Sequence, residues 1–447
     1  MSYRTVDEVE VDAGRVRVYA EGWQSWSPTS WEPWGVTHRP GAPWEHAMRF
    51  RQGTELPVDV VHAEGLLVVD PGTGAPVRSY GVIDASEQVA SLRAGLRGDL
   101  LTVAADGPVR ATSHDGAVAA LTAFGDAFAT AAGVTGLRPP PRVWCSWYQY
   151  FENITAGDSE ENATALDDHG LTVDVIQIDD GWSRGIGEWL EPSAGFPDMA
   201  RLVGDLRATG RRVGIWLAPF FVGADSTVAR QHPEWLTDGA GHNWHQDLRG
   251  LDLTHPGVRE YLHGAVRRLA ELGIDYFKLD FLYAGAIPAR RRDDVSGIAA
   301  YRSGLELLRD AAGPDAYLVG CGAPILPSVG LVDAMRVSPD TFHEGGEDGS
   351  RGLRGRMSLV ARAWQQGRFW VNDPDCLVVR PTYALREEWC RTVERFGGLP
   401  SCSDRVAALD EWGLEATRRL LDGAGTAAPF ADHVVAAALE SDGRTLA

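Results

Sequence analysis

Over the first 130 or so residues, apolar and polar positions alternate in short runs at 9–18, 66–69 and 100–103. Turn signals part these runs, among them Asp70-Pro-Gly-Thr-Gly and Arg97-Gly-Asp. A period of two punctuated by Gly, Pro and Asp marks half-buried strands. No helical period is sustained until 118–132, so the pattern predicts an N-terminal β-sandwich over residues 1–132. Residues 133–141 end in three prolines and read as a stiff Pro-rich linker.

Beyond Pro141 the pattern changes. Short, nearly continuous apolar runs fall at 143–147, 174–179, 213–218, 275–280, 317–321, 334–338, 368–372 and 397–402, and each reads as a buried strand. Amphipathic helical runs lie between them, clearest at 255–272 and 299–311, with a last one near 405–421. Eight strands alternating with helices predict a (β/α)8 TIM barrel over 142–424. A doubly wound sheet would also alternate, but no G-x-G-x-x-G turn follows the first strand. Residues 425–447 are left as a vestigial C-terminal segment.

Composition narrows the function classes. The chain has 447 residues, 44% hydrophobic and 23% charged, an ordinary globular make-up with room for two or three cores. Its net charge of −20 argues against a nucleic-acid partner or an anionic membrane surface. No run of about 18 apolar residues predicts a membrane span, and the start MSYRTVDEVE has no signal-peptide pattern. The five cysteines, at 145, 321, 376, 390 and 402, form no C-x-x-C pair, which fits a reduced, cytoplasmic setting. All but one of the 42 basic residues are arginine; the single lysine is Lys278, two residues before Asp280 in GIDYFKLDF. Where arginine has replaced almost every other cation, a retained lysine points to a tight polar site needing a compact ammonium.

In a (β/α)8 barrel the chemistry lies at the C-terminal strand ends. Reading those ends in order gives Trp147, Asp179 with Asp180, Trp216, Lys278 with Asp280, Cys321, Arg336 with Asp340, and Asp373 with Asp375. Carboxylates accept hydrogen bonds from hydroxyls and indole faces cover apolar C–H patches, so such a ring suits a sugar. Asp280 and Asp340 form the candidate catalytic pair, since glycoside hydrolysis needs two carboxyls flanking the scissile bond; a helix N-cap is the competing role for either one alone. Asp179-Asp180 reads as a grip on two neighbouring hydroxyls or as a capped turn. No His or Glu stands nearby at metal-ligand spacing. Trp216 could equally be barrel packing, Cys321 a buried small apolar residue, and the Asp373–Asp375 pair a fixed turn. In the N-terminal region, EGWQSWSPTSWEPW gathers Trp23, Trp26, Trp31 and Trp34, either at a domain interface or on a loop over the barrel mouth.

The motifs GWQSWS, VWCSWY, VIQIDDGW, IWLAPF, YFKLDFLYAGAIP, VGCGAPILPSVG, MRVSPDT and FWVNDPDCLVVR occur in that order. Together, across roughly residues 20 to 405, they resemble family 36 glycoside hydrolases, in particular the compact bacterial α-galactosidases. The resemblance implies a retaining exo-α-galactosidase with no metal or cofactor. Position by position it implies Asp280 as nucleophile and Asp340 as general acid/base. Asp179 and Asp180 then match ligands on the galactose O4 and O6 side, and Lys278, Cys321 and Arg336 those around O2 and O3. Trp216 matches an aromatic wall, with Trp147 and Trp26 at the rim. The expected partner is a small-molecule carbohydrate, with no nucleic acid and no membrane; a homo-oligomer is allowed. The family's C-terminal β domain is reduced or absent here. Alternatives are another retaining α-glycosidase on the same scaffold (α-N-acetylgalactosaminidase, α-glucosidase or transglycosidase), an enolase-type metal enzyme, and a non-catalytic lectin.

Overall fold

Two antiparallel sheets pack face to face in the N-terminal region of the computed structural model, which describes residues 2–36, 46, 48–343, 345–423 and 425–441. One sheet runs Arg4–Glu10, Leu100–Ala105, Ser91–Arg97, Val61–Glu64; the other runs Ser30–Pro33, Arg17–Ala20, Leu66–Asp70, Val77–Gly81, Arg110–His114. Side chains alternate faces along a strand, and the sequence uses both faces here. Leu67 and Val69 join Val18, Tyr80, Leu92 and Val103 in the sandwich core, whereas Leu66 and Val68 join the main core outside it. The apolar run at 9–18 is not one strand. Asp12 turns the chain, accepting from the Arg15 and Val16 amides at 2.9 and 2.8 Å, so two strands in different sheets result.

The helix Ala117–Ala131 lies on the outer face of the second sheet. Phe124 and Phe128 stack at 5.6 Å on it, and Phe128 meets Phe369 of the following domain edge-on at 5.7 Å.

The second domain is a (β/α)8 barrel. Its parallel strands are, in chain order, Val143–Cys145, Val175–Ile178, Arg212–Leu217, Ile274–Leu279, Tyr317–Gly320, Ala334–Arg336, Val371–Asp373 and Ser401–Cys402. The first seven pair in chain order, and the eighth pairs with the first. Across the seam, the Gly398 and Leu399 amides both donate to the Asn372 carbonyl at 3.0 and 2.9 Å. All eight are buried on both faces apart from the first residue or two of some strands, which explains their continuous apolar runs. The last strand is shorter than the 397–402 run because Pro400 has no N–H to donate.

One element has no counterpart in the sequence reading. Between the third and fourth barrel strands, an antiparallel insert of Phe221–Gly223, Leu236–Asn243 and Gln246–Leu251 folds over the C-terminal mouth. At the far end of the chain, the run near 405–421 divides into a 3-10 turn, Val406–Ala408, and a helix, Glu411–Asp422, capped by the Asp410 side chain. Beyond it the helix Asp432–Glu440 packs against Ala117–Ala131, Arg356–Ala361 and Arg386–Phe396. Residues 37–45 of the N-terminal region and 442–447 of the C-terminal segment lie outside the described residues.

The two domains are tied through a fully buried ion pair. Arg362, after the sixth barrel strand, donates from Nε to Glu21 Oε1 at 2.8 Å. Its other N–H groups reach the Ser25 and Val337 carbonyls, the Gln24 carbonyl and Thr29 Oγ1, at 2.7–3.1 Å. All five guanidinium donors are therefore satisfied, and the Trp-bearing loop 21–29 is fixed to the barrel. Removing one member strands a buried charge. Arg362→Met is expected to lower unfolding free energy by about 3–5 kcal/mol, and the double change with Glu21→Gln by less than the sum of the two, as measured by denaturant titration.

Candidate active site

Parallel strands deliver their C-terminal side chains to one rim, and the sequence-predicted acids meet there around two cations. Lys278, on the fourth strand, donates from Nζ to Asp179 Oδ2 at 2.8 Å. The same oxygen accepts from Gln177 Nε2 at 2.5 Å and Cys145 Sγ at 3.4 Å. Burial works against the ammonium, but the Asp179 charge carries the Lys278 pKa well above its ordinary value. Lys278 thus stands with Asp179 rather than with Asp280.

Asp280 is held by both oxygens. Oδ2 accepts from Trp216 Nε1 at 3.1 Å and Oδ1 from its neighbour's amide, Phe281 N, at 2.7 Å. Trp216 is therefore more than packing: its indole orients this carboxyl. Phe281 takes a left-handed φ of 50°, and Gly322 lies against it. A Cβ at Gly322, whose own φ is +52°, would stand 3.1 Å from the Phe281 backbone and 3.3 Å from Asp280 Oδ1, so glycine is required there. Beside it, burial pushes the Cys321 thiol well above its ordinary pKa, and the Asp280 charge adds to this. Cys321 is a neutral wall, not a thiolate.

Arg336 is the second cation. Its Nη1 reaches Asp340 Oδ1 at 3.2 Å, Nε reaches Asp373 Oδ2 at 3.2 Å, and Nη2 reaches Asp375 Oδ1 at 2.7 Å. Asp373 and Asp375 do fix a turn, through Asp375 N to Asp373 Oδ1 at 2.9 Å, but their charges also face the site. Asn372 points elsewhere, donating to the Arg362 carbonyl at 3.0 Å. Asp375 Oδ2 also accepts from the Tyr148 hydroxyl and from Thr341 N and Oγ1 at 2.7 and 2.9 Å, so the residue following Asp340 is clamped. Asp340 itself keeps a quarter of its side chain exposed. Burial and the Asp375 charge raise its pKa to about 6 against the opposing pull of Arg336 and Arg354.

Asp180 closes the ring. Oδ1 accepts from Gly181 N and Oδ2 from Trp244 Nε1, both at 2.8 Å. Burial lifts its pKa to about 7; Trp244 opposes this, and Asp179 and Glu152 add to it. Trp244 went unrecognised in the sequence because it belongs to the insert, far from any strand end. It tops the two-residue turn between Asn243 and Gln246, with φ of 49° at Trp244 and 57° at His245. Such turns ordinarily take Asn or Gly; two bulky residues there cost on the order of 1–3 kcal/mol each. Tyr148 also went unrecognised, being one residue past Trp147.

At the rim, Trp147 is half-buried against Phe151, with ring centroids 5.2 Å apart. Trp26 comes from the first domain and tilts against Phe281 at 6.2 Å, with the Arg354 guanidinium 5.0 Å above its ring. Its loop therefore lies over the barrel mouth.

A profile of the family described as Melibiase matches residues 144–297, which carry Asp179, Asp180, Trp216, Lys278 and Asp280. An α-galactosidase of Escherichia coli is 28% identical over 156 residues, 31% of this chain and 22% of that protein. The match thus spans only about a fifth of the length of such curated relatives. Among solved structures, the α-galactosidase TtGalA of Thermus thermophilus, in complex with p-nitrophenyl α-D-galactopyranoside, is 30% identical. That likeness covers 94% of this chain and 91% of that one, with a TM-score of 0.75. The family 36 α-galactosidase AgaA of Geobacillus stearothermophilus shares the fold at 12% identity, over 97% of this chain and 62% of that one, with a TM-score of 0.60. Likeness along nearly the whole of both chains to TtGalA, together with the matched Melibiase core, means that this chain belongs to glycoside hydrolase family 36, the family of the melibiase-type α-galactosidases.

Proposed function

We propose that this chain is a retaining exo-α-galactosidase that removes terminal α-linked galactose from small carbohydrates. The observation that carries this reading is the contrast between its two central carboxyls. Asp280 is aimed and held by two N–H donors, as a nucleophile must be. Asp340 is partly open to solvent, with its pKa raised to about 6, as suits a group that gives up a proton and takes one back.

In the first step Asp280 attacks the anomeric carbon and forms a β-linked glycosyl ester. Asp340 protonates the departing glycosidic oxygen, so the aglycone leaves as a neutral alcohol. In the second step Asp340, now a carboxylate, takes a proton from water, and the water oxygen attacks the anomeric carbon. Asp280 is released, and galactose leaves in its original α configuration. Asp179 and Asp180 hold sugar hydroxyls meanwhile, with Lys278 anchoring the first and Trp244 the second. Arg336 keeps Asp340 near Asp375 and Asp373 without letting the three repel one another out of place. The TtGalA complex with p-nitrophenyl α-D-galactopyranoside supports galactose as the sugar. The cysteines are free and buried, and no helix among the described residues is long and apolar enough to cross a membrane. The free thiols support a reducing, cytoplasmic setting.

Asp280→Ala is expected to lower kcat/KM on p-nitrophenyl α-D-galactopyranoside by at least about 10⁴-fold, read as p-nitrophenol release; an active variant would remove Asp280 from the nucleophile role. For Asp340→Ala, the loss should be about 10²–10⁴-fold on a galactoside with a sugar leaving group and much smaller on an activated aryl one, since only the former needs an acid. The pH profile follows from Asp340. The acid form is needed for the first step, so kcat/KM on a sugar-linked substrate should decline as pH rises through about 6.

A further inference from the structure

The insert between the third and fourth barrel strands places a polar contact inside the sugar-binding ring. Trp244 Nε1 donates to Asp180 Oδ2 at 2.8 Å. The indole also packs edge-on against Trp216 at 6.1 Å, Phe221 at 6.0 Å and Phe281 at 5.2 Å. Of these, Trp216 orients Asp280 and Phe281 adjoins it in sequence. The indole therefore bridges the acid on one side of the ring and the nucleophile's surroundings on the other.

The insert is built to deliver this residue. The Tyr283 hydroxyl, from the loop after Asp280, donates to the Ala240 carbonyl at 2.5 Å and pins one strand of the hairpin. The strand Gln246–Leu251 is held between Phe221–Gly223 and Leu236–Asn243. Asn243 Oδ1 accepts from Trp244 N at 2.9 Å and secures the left-handed turn. A strained turn kept in a bulky pair, with its indole aimed at a buried carboxyl, marks a position selected for contact rather than for turn propensity.

We propose that Trp244 is a positioning residue of the sugar pocket, fixing the Asp180 carboxylate so that its free lone pairs face a substrate hydroxyl. The insert, and not the barrel alone, then sets how tightly the sugar is held. Asp180 has two oxygens, each already accepting one N–H, from Gly181 and from Trp244. Without the indole donor, Oδ2 is free to turn, and the carboxyl must be ordered anew each time sugar binds. This inference rests on Asp180 being a sugar ligand.

The test is a double-mutant cycle between Trp244→Phe and Asp180→Ala, with p-nitrophenyl α-D-galactopyranoside and free galactose. Phenylalanine keeps an apolar ring at this half-buried tip and deletes only the donor. Trp244→Phe should raise KM and the galactose Kd together by about tenfold, the weight of one hydrogen bond to a charged group. The change in kcat should stay within about threefold, as for lost ground-state positioning. In the Asp180→Ala background the same change should cost less than about twofold, because its target is gone. Equal losses in both backgrounds, or a loss confined to kcat, would overturn the proposal. Trp244→His is the second variant: a retained ring N–H keeps more affinity than phenylalanine if the donor acts, and less if only an apolar ring matters. If the wild type cleaves no α-galactoside, the galactose reading fails by itself, and the cycle is run with whichever of N-acetylgalactosamine, glucose or xylose binds. Binding of none of these would overturn both.

Discussion

Six carboxyls, those of Asp179, Asp180, Asp280, Asp340, Asp373 and Asp375, converge on the mouth of one barrel, and only a few cations stand among them. Like charges buried together repel and shed their charge unless something offsets them. Lys278 neutralises Asp179, and Arg336 spreads one planar fork over Asp340, Asp373 and Asp375. These two cations do not offset the whole charge, and Asp180, Asp340 and Asp375 all keep raised pKa values. The chemistry assigned to the site uses that remainder: the acid that must carry a proton is one that the local charge balance leaves partly protonated near neutral pH.

The barrel supplies the acids, but two other parts of the chain finish the site. The Arg362–Glu21 pair fixes loop 21–29, which brings Trp26 against Phe281 beside the nucleophile. The insert brings Trp244 against Asp180 from another side. Both contacts are made by side chains far in sequence from the strand ends they serve, and both depend on polar groups sealed away from water. A buried guanidinium with every donor satisfied gives geometric definition that apolar packing alone gives less sharply.

Much of this was legible from the residues. Eight continuous apolar runs marked the eight strands because a parallel strand is covered on both faces, and the strand-end rule then gathered Asp280, Asp340, Asp179, Asp180, Lys278 and Arg336 into one place. The lone lysine does lie among these acids, although its partner is Asp179 and not the adjacent Asp280. The insert was not legible. Its two longer strands, Leu236–Asn243 and Gln246–Leu251, are largely polar, with burial confined to a few positions such as Ala240 and Leu248, and its turn residues contradict the usual Asn-Gly signal. Nor could spacing show that Asp373 and Asp375 do more than shape a turn, since that depends on a guanidinium some forty residues earlier reaching them in space. A single break at Asp12 likewise divided an alternating run that pattern alone would keep whole.

The claim at the centre is that Asp280 forms a covalent bond to the sugar. It is tested most directly by reacting the protein with a fluorinated α-galactosyl fluoride, which forms the ester quickly and releases it slowly, and mapping the adduct by peptide mass spectrometry. The account predicts one fluorinated glycosyl adduct, located on Asp280. An adduct on another residue, or steady turnover of α-galactosides with no adduct ever trapped, would contradict it.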